Sequence, residues 1–255
     1  MNNAYIKLSK IPFSLAPLTL VSGHYGVGKT NFSLNLAYDI RSAGKEVTLI
    51  DLDVINPYFR SSDYAISLKE AGISIITPVF AGSNLDVPSL SAAIEPAFQR
   101  ANENHLLIVD VGGDDVGATS LGRYCQTIKK LSFKMLYVVN AYRNLSQSPE
   151  QALQMLKEIE AKAHLRADGI INNSHLKEET NLETIQKSTH FAAECARLSG
   201  LEVLATTLPQ EVFERYVVPS GDKSCAEPKS SAVLSRLGLQ KPYIVQVYVR
   251  SPWEQ

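Results

Sequence analysis

Residues 23–30 combine glycine, lysine and threonine at the spacing of a phosphate-binding loop, GxxxxGK[ST]. Glycines let the backbone curve so that successive N–H groups point at phosphate oxygens, and a helix beginning here adds partial positive charge. Lys29 would bridge the β- and γ-phosphates, and the Thr30 hydroxyl would bind Mg²⁺. The predicted nucleotide-binding residues of this segment are Gly23, Gly26, Val27, Gly28, Lys29, Thr30 and Asn31.

Carboxylates follow two apolar, strand-like runs elsewhere in the chain. Asp51 and Asp53 come after one run, and Asp110 comes directly after another. An apolar run that ends in Asp is the pattern in which a carboxylate holds Mg²⁺, directly or through water. Asp at a strand end is otherwise a turn former or helix cap. Beside a phosphate loop we favour the functional role for these three, whereas Asp114 and Asp115 fit solvated loop acids equally well.

Short apolar runs rich in Val and Ile alternate with helix-length segments through most of the sequence. Such runs are typical of strands covered on both faces, and their alternation with helices predicts βαβ units. We therefore predict an α/β fold, a mostly parallel sheet flanked by helices in three α/β/α layers, as in P-loop NTPases. The predicted strands begin near Leu18, Glu46, Ile73, Leu106, Met135, Gly169 and Leu201, and the first helix spans about 29–42.

Two later helices have marked starts. Ser148 followed by Pro149 and Gln151 predicts a capping box with proline at the first helical position. Thr180, three residues before Glu183, predicts a second capping box, for a helix that runs to residue 199 and ends at glycine 200.

Composition narrows the function further. The chain has 255 residues and a formal net charge of -1, which argues against non-specific nucleic-acid binding as its main activity. Its three scattered cysteines, Cys125, Cys195 and Cys225, form no CxxC pair and predict no zinc site. No signal peptide and no apolar run of about 20 residues is found, so we expect a cytoplasmic protein without membrane contact. Residues 1–255 are predicted to form one nucleotide-binding domain, with a polar loop near 219–231 and a strand-like C-terminal segment, 243–249.

The loop with Asp51, Asp53 and Asp110 resembles the CobQ/CobB/MinD/ParA group of P-loop NTPases, of the SIMIBI class. The resemblance implies that Asp53 orients or deprotonates the attacking water, that Asp110 is the Walker-B acid, and that Asp51 supports Mg²⁺ without binding it directly. It also implies an adenine-reading amide at the end of a later strand, where Asn172 matches better than Asn173, and a base-covering loop at Pro209. A simple turn explains the two asparagines nearly as well.

The chain departs from that group at one position. Many members carry a lysine early in the loop that reaches across a dimer to the partner's phosphates, whereas this chain has His24, followed by Tyr25. Histidine is cationic only part of the time near neutral pH. His24 is therefore either a weaker charge stabiliser or a solvent-facing loop residue, and Arg60 and Arg123 are either charge stabilisers or surface arginines.

Three functions remain open at this stage. The first is a Mg-ATP hydrolase that acts as a nucleotide-dependent switch with an unknown protein partner or as a homodimer. The second is an ATP-dependent ligase or kinase that activates a small carboxylate, with 56–63 and 112–123 around its substrate, and the third is a non-hydrolysing nucleotide-binding module. ATP (or ADP) is expected over GTP because of Asn172 and because the chain has no NKxD guanine motif.

Overall fold

The molecule is built on a central sheet of parallel strands, seen in a computed structural model that describes residues 5–53, 64–80, 88–89, 91–143, 148–175, 179–217, 239 and 241–249. The strands are β1 (Leu18–Gly23), β2 (Glu46–Asp51), β3 (Ser74–Ile76), β4 (Val79–Phe80), β5 (Pro88–Ser89), β6 (His105–Asp110), β7 (Phe133–Val139), β8 (Gly169–Asn172), β9 (Val203–Pro209) and β10 (Pro242–Val245). The sheet has eight strands in the order β10-β9-β8-β7-β1-β6-β2-β3, and β4 and β5 form a separate antiparallel pair.

Helices cover both faces of this sheet. They are α1 (Lys29–Ser42), α2 (Ala65–Glu70), α3 (Ile94–Phe98), α4 (Asp115–Gly122), α5 (Cys125–Ile128), α6 (Pro149–Ala163), α7 (Leu182–Ser199) and α8 (Gln210–Val217). Residues of α1 and α2 share one apolar cluster with the sheet, and residues of α3 to α7 share another. Alternation along the strands supplies both clusters: in β6, Leu107 and Val109 face one layer while Leu106 and Ile108 face the other. The predicted three-layer α/β/α fold is confirmed.

The predicted helix ends agree with the structure except at one cap. The Ser148 hydroxyl accepts from the Gln151 N–H, and the Gln151 side chain accepts from the Ser148 N–H. The first capping box is therefore present. For α7, however, the cap is Asn181 and not Thr180, because the Asn181 side chain accepts from the Thr184 N–H at 2.8 Å. Gly200 ends α7 with a φ of 73°, as predicted.

The C-terminal segment is only partly a strand. β10 pairs with β9, but residues 246–249 leave the sheet and lie along α1. The Asn35 side chain donates to the Gln246 carbonyl at 2.9 Å and accepts from the Gln246 N–H at 2.7 Å. Asn31 donates to the same carbonyl at 2.9 Å and accepts from the N–H groups of Tyr248 and Val249. Two buried side-chain amides on α1 thus make hydrogen bonds to the backbone of this segment that a neighbouring strand would otherwise make. The predicted loop at 219–231 lies outside the described residues.

No helix in the described part of the chain is both long enough and apolar enough to cross a bilayer.

Replacing Asn35 with Ala should lower the free energy of unfolding by about 1–3 kcal/mol, because it removes the buried amide that accepts from the Gln246 N–H and leaves the Gln246 carbonyl with Asn31 as its remaining side-chain partner. Ser42→Ala is the matched control, since Ser42 is exposed at the end of the same helix and gains similar helix propensity. Its expected effect is within about 0.5 kcal/mol. Urea unfolding measures both values, and equal values for the two variants would contradict the assigned role of Asn35.

Candidate nucleotide-binding site

The predicted phosphate loop joins the end of β1 to the start of α1, at the carboxyl edge of the sheet. Gly28 immediately precedes the helix with a φ of 89°, a left-handed conformation that side chains with a Cβ rarely adopt. A Cβ on Gly28 would also lie 2.3 Å from the Asn173 Nδ2. Glycine is therefore required here both by the backbone angle and by the close approach of a side chain from the end of β8.

Lys29 is held inside the loop. Its side chain is buried, and Nζ donates to the His24 carbonyl at 3.0 Å. Burial lowers the pKa of Lys29 below its ordinary value, while the carboxylates of Asp110, Asp53 and Asp114 act in the opposite direction. A phosphate oxygen could take the place of the carbonyl and would favour the charged ammonium, so this position suits an anion.

The three predicted acids lie at the same edge of the sheet as the loop. Asp110 ends β6, between β1 and β2, where it pairs in register with Val21 and with Asp51. The Asp51 Oδ1 accepts from the Asp53 N–H at 2.9 Å. The exposed fractions of Asp51, Asp53 and Asp110 are 0%, 7% and 1%. All three residues are therefore buried beside the phosphate loop.

These residues have the donor types that a nucleotide-bound Mg²⁺ requires. Asp110 Oδ1 accepts from the Ser33 hydroxyl of α1 at 3.4 Å, which brings the carboxylate of β6 against the helix that also carries Thr30. The described residues contain no ready-made cage of three or more His, Cys, Asp or Glu side chains. Mg²⁺ in such sites takes one or two protein oxygens and fills its remaining positions from phosphate and water, so hydroxyl and carboxylate donors fit it.

The loop after β6 packs tightly on the phosphate loop. A Cβ on Gly113 would lie 2.5 Å from the Tyr25 backbone nitrogen and 2.6 Å from the Lys29 Nζ. Asp114 then caps α4, accepting from the Gly117 N–H at 2.8 Å, and the exposed Asp115 pairs with a lysine of α6. Asp114 and Asp115 thus have structural partners, and the close contact at this edge is made by glycine backbone.

The two asparagines at the end of β8 point in different directions. Asn172, the residue that we expected to contact the nucleotide base, is fully buried. Its side chain donates to the Ser188 hydroxyl of α7 and accepts from the Ser174 hydroxyl. Asn173 instead donates to the Val27 carbonyl of the phosphate loop at 2.8 Å and accepts from the Thr207 hydroxyl of β9 at 2.7 Å. Asn173, which the sequence interpretation ranked second, is therefore the amide that contacts the phosphate loop.

Asn31 and Pro209 differ in how they relate to the site. The Asn31 side chain is occupied by the backbone of the C-terminal segment, so it supports α1 instead of facing the loop. Pro209 is buried at the end of β9, the strand that also carries Thr207. The expectation that Asn31 contacts nucleotide thus lacks support from its contacts, whereas Pro209 lies on the side of the sheet edge occupied by Asn173.

His24 and Arg123, two of the candidates for charge stabilisation, lie in different parts of the molecule. His24 does not face solvent: it is 8% exposed and its Nδ1 bonds the Tyr25 carbonyl at 3.1 Å. Arg123 is exposed at the far end of α4, beside Tyr124 and away from the phosphate loop. Arg60 lies outside the described residues, as does the segment 56–63.

Sequence reasoning missed Ser33 as a partner of Asp110. The signal was present in principle, because Ser33 lies one helical turn after Lys29 and Thr30 and so shares their side of α1.

Comparison with known proteins identifies the same architecture. The model of the CobQ/CobB/MinD/ParA nucleotide binding domain matches residues 18–211. Among solved structures, chloroplast FtsY from Physcomitrella patens is 14% identical with a TM-score of 0.50, the match covering 73% of this chain and 56% of that chain. The signal recognition particle 54 kDa protein from Aeropyrum pernix, solved with GDP, is 16% identical with a TM-score of 0.47, the match covering 87% and 49%.

The chain thus spans about half the length of these two solved structures, and the likeness to FtsY concerns the fold alone. A comparison with curated protein sequences gives no match.

Replacing Gly28 with Ala should weaken nucleotide binding and destabilise the protein more than replacing Gly44 does. Both glycines have a left-handed φ, 89° and 80°, but a Cβ on Gly44 has no atom within 4 Å whereas one on Gly28 meets Asn173. The difference in unfolding free energy isolates that collision, for which we expect about 1–3 kcal/mol. Adding Asn173→Ala to each variant should remove much of the difference; a difference that persists would show that Asn173 is not the obstacle.

Proposed function

The chain belongs to the CobQ/CobB/MinD/ParA nucleotide-binding domain family of SIMIBI-class P-loop NTPases, and we propose that it binds Mg-ATP and hydrolyses it as a nucleotide-dependent switch. One observation carries the proposal: the buried Lys29 ammonium lies in a glycine-rich loop at the sheet edge where the carboxylates of Asp51, Asp53 and Asp110 are also buried. Asp53 and Asp110 act on the Lys29 ammonium electrostatically. A lysine alone would bind an anion. The added carboxylates favour a metal-complexed triphosphate over a simple phosphate ion.

The roles of the residues follow from their positions. Lys29 exchanges the His24 carbonyl for phosphate oxygens, and Thr30, at the first turn of α1, offers its hydroxyl to Mg²⁺. Asp110 is the acid of β6 that supports the ion, with Ser33 fixing its carboxylate. Bound Mg²⁺ neutralises charge that develops on the phosphates.

Asp53 is proposed as the residue that holds the attacking water. It lies two residues after the end of β2, its backbone N–H is held by the hydrogen bond to Asp51, and its carboxylate lies close enough to affect Lys29 electrostatically. A carboxylate in this position orients a water and accepts its proton as the phosphorus–oxygen bond forms.

Adenine is the proposed base. Asn173 and Thr207 form a polar group at the edge beyond the phosphate loop, and Pro209 ends the neighbouring strand. An amide has two N–H groups and two acceptor lone pairs, so Asn173 keeps one of each for a base edge besides its bonds to Val27 and Thr207. Guanine, by contrast, is read by a carboxylate of an NKxD motif that this sequence lacks.

The switch element is proposed to be the loop after β6. Gly112 and Gly113 lie against Asp53 and Lys29, so a γ-phosphate entering beside Lys29 must displace or reorder this backbone. Such a change reaches α4 directly, because Asp114 caps that helix. An unknown protein partner, or a second copy of the chain, would read this change.

Two substitutions separate binding from hydrolysis. Lys29→Ala should weaken Mg-ATP binding about 30-fold or more by removing a charge-assisted contact. Asp53→Asn should leave ATP affinity within about threefold but lower phosphate release about 100-fold or more. Isothermal titration calorimetry and a phosphate-release assay measure these, with GTP run in parallel.

Lys129→Ala and Asp115→Asn are the matched controls, since both side chains are exposed and outside the site. The proposal fails if Lys29→Ala binds ATP as Lys129→Ala does, or if Asp53→Asn turns over normally. Phosphate release that requires a small carboxylate metabolite would redirect the function to a ligase or kinase.

A further inference from the structure

An arginine that the sequence analysis did not single out lies beside the phosphate loop. Arg143 follows β7, the strand that pairs with β1 on the side away from β6. A Cβ placed on Gly26 would lie 3.9 Å from the Arg143 Cδ and 4.0 Å from its Nε. Gly26 occupies the middle of the loop, where backbone N–H groups face the phosphates, so Arg143 approaches the same region from the side opposite the acids.

The turn that carries Arg143 is fixed at several points. Asn140, only 2% exposed, accepts from the Tyr142 N–H at 2.9 Å through its side chain and from the Arg143 N–H at 3.4 Å through its carbonyl. The Ala141 N–H donates to the Ser174 hydroxyl at 2.9 Å. The Tyr142 hydroxyl donates to the carbonyl of residue 184 in α7 at 2.5 Å. The backbone of the turn is therefore anchored to β8 and α7, which presents the arginine at a defined place on the loop.

The side chain itself is available for a ligand. Arg143 is exposed, and among the described residues it forms no ion pair with a carboxylate. By contrast, the arginines at 166 and 197 are each paired with a glutamate. A guanidinium beside a phosphate loop and without an acidic partner matches phosphate oxygens in both charge and geometry.

Charge balance at the site also favours an added cation. The carboxylates of Asp110, Asp53 and Asp114 all act electrostatically on Lys29, and the histidine at the early loop position is buried with its ring bonded to the Tyr25 carbonyl. A metal-bound triphosphate would bring further negative charge, and Arg143 supplies an exposed guanidinium against the loop.

We propose that Arg143 binds phosphate oxygens of the nucleotide within its own chain, supplying the positive charge that the missing early-loop lysine would otherwise bring from a partner subunit. The inference rests on the proposed nucleotide function. Arg143 is accordingly a nucleotide-binding residue, and occupation of the site needs no charge from a second protomer.

The test compares Mg-ATP binding to the full chain and to three variants by isothermal titration calorimetry. Arg143→Gln should weaken ATP about tenfold, and Arg143→Lys, which keeps the charge, should stay within about threefold. Arg123→Gln, an exposed arginine at the far end of α4, is the control and should change the affinity less than twofold. Raising the salt concentration should weaken ATP binding less steeply in Arg143→Gln than in the unaltered protein, because one charged contact is absent.

The outcomes are distinguishable. If the unaltered protein binds no nucleotide, the proposed function itself fails. If it binds ATP but Arg143→Gln matches Arg123→Gln in affinity and salt dependence, the role of Arg143 is overturned while the function stands. A loss in Arg143→Gln that Lys does not restore, together with a lowered Tm, would mean that Arg143 supports the fold, which also overturns the proposal.

Discussion

The close approach of three separate chain segments to the phosphate loop is the constraint on which the rest of the site depends. Asn173 touches the loop at Gly28, Gly113 touches it at Tyr25 and Lys29, and Arg143 lies along Gly26. Protein interiors transmit small displacements because they are close-packed. These contacts restrict the geometry of the phosphate loop, and the segments after β6, β7 and β8 together position it.

The charges around the phosphate loop decide which ligands suit it. A buried ammonium is unfavourable unless carboxylates or phosphates compensate for lost hydration, and Lys29 has its pKa lowered by burial while Asp110 and Asp53 partly restore it. The acids are in turn placed by strand register, since Asp51 and Asp110 are paired neighbours in the sheet. The position of each carboxylate depends on strand register, because shifting one strand by a residue would turn its carboxylate to the other face of the sheet.

Much of this could be predicted from the sequence, because the decisive signals were local. The bounds of α1 and β2, the capping box at Ser148 and the acids after β2 and β6 all follow from short patterns. What the sequence could not show was non-local. Asn172 and Asn173 are adjacent and both buried, so pattern alone cannot say which one turns to the loop. Asn31 was predicted to bind nucleotide, and the sequence pattern could not reveal its contacts because its partners lie more than 200 positions away, in the C-terminal segment.

The most direct test of the account is the thermal unfolding of the unaltered chain with Mg-ATP, with ATP plus a chelator, and without nucleotide. A ligand at 100 times its Kd stabilises the folded state by about 2.7 kcal/mol. We predict a clear rise in Tm with Mg-ATP and a smaller rise when the chelator removes Mg²⁺, because the hydroxyl and carboxylate oxygens of the site would bind the ion together with the nucleotide. An unchanged Tm at millimolar Mg-ATP would contradict the assignment of this edge of the sheet as a nucleotide site.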